Sequence, residues 1–175
     1  MNVTEITARL AGVTPDVSRR LEVPADIPLD HLHETLQAAF GWEMAHLFMF
    51  CVGAPYQMGR PRWVMPDFAD GPQDLPADKT TLTQALATAG AEPLIYLYDF
   101  GDDWEHHLEI GETHEAAQGY KYPRLVEATG ACPPEDIGGP TGYEMFREAL
   151  ADPEHPEHEE FKAWYDGKFD PDSAG

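Results

Sequence analysis

Residues 96–107 read Tyr96-Leu97-Tyr98-Asp99-Phe100-Gly101-Asp102-Asp103-Trp104-Glu105-His106-His107: an apolar run, a tight acidic turn and the start of a half-buried strand. Pro93 to Phe100 and Asp103 to Glu112 predict an antiparallel pair across Gly101-Asp102. On the second strand, period-two geometry puts Trp104, His106, Leu108 and Ile110 on one face and Asp103, Glu105, His107 and Glu109 on the other. His106 then faces the core, where an imidazole needs a hydrogen-bond partner. Asp99 or Asp102 would supply one, in the pairing that orients a general base or a metal ligand. A histidine that simply locks the hairpin is the other reading, and both stand at this point.

Working outward, the chain reads as an α+β single domain over residues 1–175. Ile6, Ala8 and Leu10 alternate, as do Val17, Leu21 and Val23, with a turn between them, which predicts two paired strands. Asp26 is the expected N-cap of a helix running to Phe40, with Pro28 in its first turn. Leu29, Leu32, Leu36, Ala39 and Phe40 fall on one face of it, and Gly41 ends it. Residues 46–52 are nearly all apolar, as a strand buried on both faces would be. A long excursion at 53–79, rich in proline and glycine, surrounds one short strand at Arg62-Trp63-Val64-Met65. Thr81 with Gln84, and Thr141 with Glu144, have capping-box spacing and predict two further helix starts. A last helix from about Pro156 packs Phe161, Trp164 and Tyr165. The sum is a mixed or antiparallel sheet of about five strands packed on a long helix, with two C-terminal helices.

Charge narrows the partners. The formal net charge is −21, and it is uneven: residues 63–175 carry six basic against twenty-five acidic side chains. Such a field repels phosphate backbones, so no nucleic-acid partner is expected. Two lone cysteines without metal spacing, a start that is neither basic nor apolar, and no run of 18 apolar residues point to the cytoplasm and away from a membrane.

Pro133-Pro134-Glu135-Asp136 is a stiff segment presenting adjacent carboxylates before two glycines. Folded against the acidic turn it would complete a candidate binding site of Asp99, Asp102, Asp103, His106, Glu135 and Asp136. Asp99, His106, Glu135 and Asp136 are the candidate ligands of a divalent metal: magnesium, manganese or calcium for carboxylates alone, zinc or manganese with an imidazole added. The structural alternative has Glu135 and Asp136 capping backbone amides or pairing with Arg19, Arg20 or Arg124. His33 and His46 lie on or beside apolar faces and read as packing histidines. His155-Pro156-Glu157-His158 sits in an exposed acidic helix start, where the proline sets its imidazoles poorly for one ion. Gly138 to Gly142 precede a helix but lack the lysine of a phosphate loop, and Cys132 has no local base.

Several segments together resemble a known family: Leu32-His33, Phe40-Gly41-Trp42, His46-Leu47-Phe48-Met49-Phe50, Tyr98 through His106, Pro133 through Gly139, and Gly142-Tyr143 before an acidic helix. In this order they resemble the plasmid Ri ORF-three-like family, some members of which are labelled passenger TnpR-like proteins of an insertion element. The resemblance covers nearly the whole chain. It departs at Val17-Ser18-Arg19-Arg20, where the family usually has a tryptophan beside the arginines. It implies an α+β single domain and supplies no catalytic residue. The resolvase-like label meets a chemical objection, because a serine recombinase needs a nucleophilic serine, an arginine cluster and a basic arm. This chain has only Ser18, in a strand, and Ser173, in the tail.

Two function classes follow. One is a non-catalytic binding or adaptor module, holding a peptide, basic tail or small ligand between the acidic hairpin and the Pro-Glu-Asp loop. The other is a metal-dependent hydrolase in the same groove, with His106 as general base. Blocking a DNA-binding protein with the acidic surface is a third use. The discriminator is whether the carboxylates converge on one another or on arginines.

Overall fold

The cleanest apolar stripe belongs to α1 (Leu29–Phe40), which buries Leu29, Leu32, Leu36 and Phe40 against one face of a sheet. In the computed structural model residues 1–57 and 59–165 are described. The side chains of Trp164 and Tyr165, read as packing residues, and Ser173 lie outside the described residues.

Among the described residues the sheet has eight strands rather than the five or so expected. They are β1 (Asn2–Leu10), β2 (Ser18–Pro24), β3 (Phe48–Val52), β4 (Arg62–Val64), β5 (Asp74–Pro76), β6 (Leu94–Tyr98), β7 (Trp104–Glu115) and β8 (Arg124–Thr129). Their order is β5-β4-β3-β6-β7-β1-β2-β8. Every neighbouring pair is antiparallel except β4 with β5, so the sheet is mixed. The unexpected strands are the two edges. β5 is three residues ending in proline, and β8 pairs with β2 across a register shift at Arg20/Leu21. None of β8's six residues is fully buried, so it carries no apolar core face of its own.

Three further helices follow: α2 (Leu82–Ala89), α3 (Gly139–Ala151) and α4 (His158–Tyr165). None of the described helices is long and apolar enough to cross a membrane. Thr81 and Gln84 form the expected capping box of α2. The other two expected starts shift. α1 begins at Leu29 with no side-chain cap, because its entry is pinned by backbone instead: Leu29 N donates to Thr80 O at 2.9 Å and Leu82 N to Ile27 O at 2.8 Å. α3 begins at Gly139 rather than at a Thr141 cap, because its lead-in is tied to the acidic turn. A methyl group on Gly139 would lie 2.6 Å from Asp102 O, so only glycine fits there.

The main core lies between α1 and the sheet and takes Phe48, Phe50, Tyr96, Tyr98, Trp104 and Leu108 from the central strands. Met49, Cys51, Val64, Ile95 and Leu97 form a second cluster, so β3 and β6 are buried on both faces as their composition requires. On β7, Trp104, His106 and Leu108 are buried as expected, whereas Ile110 is exposed, beyond the part of the strand that faces the core. α3 buries Tyr143 and Phe146, and Phe146 meets Phe161 of α4 edge-on at 5.4 Å.

Candidate functional site

The β6–β7 turn is built on Asp99. Its backbone is left-handed at φ 64°, its N–H donates to Leu47 O at 2.9 Å, and its Oδ1 accepts from Gly101 N at 3.0 Å and Asp102 N at 3.2 Å. This fixes Asp99 as a buried carboxylate whose other oxygen, Oδ2, faces away from the turn's amides towards His46.

His106 does not join it. The ring is wholly buried, with Nε2 3.2 Å from Trp42 Nε1 and Nδ1 3.0 Å from Tyr96 O. An indole nitrogen can only donate, so Nε2 accepts and Nδ1 carries the proton donated to Tyr96 O. Burial pushes the His106 pKa down to about 4, which keeps the ring neutral. Neither Asp99 nor Asp102 is its partner, and the ring has no lone pair left for an ion or a substrate proton. His106 is a structural lock, which removes it as a metal ligand and as a general base.

The other expected residues do gather. Asp102 Oδ2 accepts from Gly138 N at 3.1 Å, stapling the turn to the loop before α3. Asp103 Oδ1 accepts from Tyr56 OH at 2.6 Å, which ties in the long excursion. Glu135 accepts from Tyr98 OH at 2.9 Å and from Glu43 N at 2.8 Å. Its partial burial raises its pKa despite those two donors. Asp102, Asp103 and Glu135 are therefore engaged in holding the segments together.

Asp136 behaves differently, and so does the residue it meets. His46 Nε2 lies 2.7 Å from Asp136 Oδ1 and 3.4 Å from Asp99 Oδ2. Ligand atoms of His46, Asp99 and Asp136 all lie within 4.8 Å of one another. Burial alone would lower the His46 pKa, but Asp99, Asp136 and Glu135 together outweigh it and raise it. His46 is thus the site residue the sequence reading passed over as packing. His33 does fit that reading, stacked on Phe48 at 3.7 Å and bonded to Tyr96 OH at 2.6 Å. The signal for His46 was the strand register: Phe48 pairs with Tyr98, so the segment just before β3 must run beside the acidic turn.

Residues 43–45, which lead to His46, are suspended by side chains. Glu43 N donates to Glu135, Met44 N to Gln37 Oε1 at 2.8 Å, and Ala45 N to Tyr98 OH at 3.0 Å. Three consecutive amides are taken by three different parts of the fold. Strain concentrates here as well. Among the described residues, those other than glycine with positive φ are Met44, Tyr56, Asp99, Asp103 and Asp136, and all five belong to this corner.

Among the described residues, none of the arginine ion pairs reaches this corner: they go to Glu5, Asp16, Glu22, Asp74, Glu92, Glu109 and Glu127. Arg19 is buried over the Phe40 ring and donates to the carbonyls of Ser18, Ala39 and Thr129, so it is not free to hold a phosphate.

Family comparison agrees with the sequence motifs. The family described as plasmid pRiA4b ORF-3-like protein matches residues 2–174. The chain belongs to that family. It is 46% identical to the uncharacterized protein y4hQ of Sinorhizobium fredii (strain NBRC 101917 / NGR234), over 99% of this chain and 85% of that protein. The crystal structure of a protein of unknown function, MM3350 from Methanosarcina mazei Go1, superposes with a TM-score of 0.86 at 31% identity, covering 98% of this chain and 94% of that one. Neither the pRiA4b ORF-3-like description nor these two relatives supply a reaction, so chemistry must be argued from the corner itself.

Proposed function

We propose that this plasmid-family chain is a non-catalytic binding module whose site holds a divalent cation between His46, Asp99 and Asp136. The observation that carries the reading is convergence: three ligand atoms from three separate segments lie within 4.8 Å, and no arginine or lysine among the described residues pairs with them. His46 Nε2 has almost no solvent contact, yet its N–H direction meets neither carboxylate oxygen squarely enough for a good hydrogen bond. An ion gives the imidazole lone pair and both oxygens a common partner. An imidazole with two carboxylates favours zinc or manganese over the all-oxygen preference of calcium and magnesium. Gly101 N and Asp102 N, which hold Asp99 Oδ1, would orient that ligand from behind.

Binding, rather than hydrolysis, is favoured by what surrounds the ligands. Among the described residues, His106 is sealed and Glu135 is already engaged by Tyr98 OH and Glu43 N, so neither is held ready as a general base beside the cluster. The test is metal content of untagged protein, followed by calorimetric titration of metal-free protein with zinc and with manganese. One ion per chain is expected, with affinity lowered at least about tenfold in Asp136→Asn, since even outer-shell partners act on that scale. No uptake of either ion would overturn the proposal.

A further inference from the structure

The same corner carries an unusual surface. Met44 is 53% exposed, Leu47 42%, Tyr56 57% and Phe100 38%. They are neighbours through the backbone and side-chain links already described: Leu47 O takes the Asp99 amide, Phe100 follows Asp99, Tyr56 bonds Asp103, and Met44 is two residues before His46. Other exposed large apolar side chains, such as Leu125 on β8 and Met145 on α3, sit on separate elements. Met44 and Tyr56 also occupy left-handed backbone, at φ 54° and 65°, where glycine or asparagine would cost less. Bulky side chains thus stand where backbone chemistry disfavours them and where water reaches them.

The floor inside this rim is anionic. Glu43, Asp99, Asp102, Asp103, Glu135 and Asp136 line it, with the His46 ring among them. An acidic centre with an apolar rim matches the reverse pattern in a partner. We propose that this corner docks a basic segment of a partner protein, setting lysine or arginine against the acidic floor and apolar neighbours on Met44, Leu47, Tyr56 and Phe100. A lipid surface or a nucleic acid would meet a chain of net charge −21 with its own negative charge, and a second copy would bring the same charge again. The surface surrounds the proposed ion site but does not depend on it, since one divalent ion offsets two of the six carboxylates.

Fluorescence polarisation with a labelled peptide of alternating lysine and leucine tests this, in about 150 mM salt to screen diffuse attraction. A lysine–serine peptide of equal length and a glutamate–leucine peptide are the comparators. The lysine–leucine peptide should bind at least about tenfold more tightly than lysine–serine, a gap of about 1.4 kcal/mol, and glutamate–leucine should not bind. Leu47→Ser, Phe100→Ser and the charge-reversing Met44→Lys should each weaken binding several-fold, whereas Leu125→Ser and Met145→Ser should not. All five positions are exposed, and melting curves would verify folding. Equal binding of the two lysine peptides, or equal losses at rim and remote sites, would overturn the proposal. The titration is repeated in chelator. Binding retained there, with no metal uptake in the earlier experiment, removes the ion and keeps the docking surface.

Discussion

His106 and His46 lie on either side of the Trp42 and Tyr98 rings and have opposite fates. His106 is enclosed, both nitrogens engaged, and burial holds it neutral. His46 stands at the edge among carboxylates that outweigh its desolvation and favour its charged form. The difference teaches that a histidine's role here is set by what its nitrogens meet. The strand that looked functional carries the lock, and the segment that looked like packing carries the candidate ligand.

Acidification should strain the enclosed region most. His33 and His106 are both pushed by burial from the ordinary 6.5 to about 4. Between those values the unfolded chain binds protons that the folded one excludes, so stability should fall as pH drops from 6.5 towards 4 and be level above. His46 acts in reverse: its raised pKa contributes stability at low pH that is lost as pH rises through that value. Denaturant melts across this range measure the balance. A net gain on acidification would mean that the edge, not the interior, dominates.

His106→Ala should come next, costing about 1–3 kcal/mol for stranding the Trp42 indole and the Tyr96 carbonyl. Metal uptake by whatever remains folded should be unchanged. Loss of uptake in folded His106→Ala would erase the distinction between the two histidines. Asp136→Asn should do the opposite, shifting stability by no more than about 0.5 kcal/mol, as exposed substitutions do, while abolishing most ion affinity. The smallest effect concerns DNA. With the acidic residues concentrated beyond residue 62, no gel shift is expected at about 150 mM salt, and a shift there would show that a local basic patch overrides the net charge.

Local signals were legible in the sequence. The α1 stripe, its Gly41 stop and the Thr81–Gln84 box depend on residues a few positions apart, and all three stand in the structure. What needed distant pairing was not legible. β5 and β8 take their strand character from one neighbour each, and Asp26 lost its capping role because Leu29 N finds Thr80 O. In the candidate site, the gathering of the turn with the Pro-Glu-Asp loop was foreseen from turn residues whose carboxylates a core cannot bury alone. His46 was not, since only the β3–β6 register sets it beside Asp99.

The three amides at Glu43, Met44 and Ala45 have a consequence for transplantation. Their partners are Glu135, Gln37 and Tyr98, so the path to His46 is specified by side chains outside that segment. Copied alone as a peptide, or grafted into another scaffold, residues 42–47 would not keep their shape. Within this fold, by contrast, the path keeps its shape as long as the three N–H groups remain and position 44 tolerates its left-handed backbone at φ 54°. Side-chain changes at 43 and 45 would then alter what the corner binds while its geometry is inherited from elsewhere.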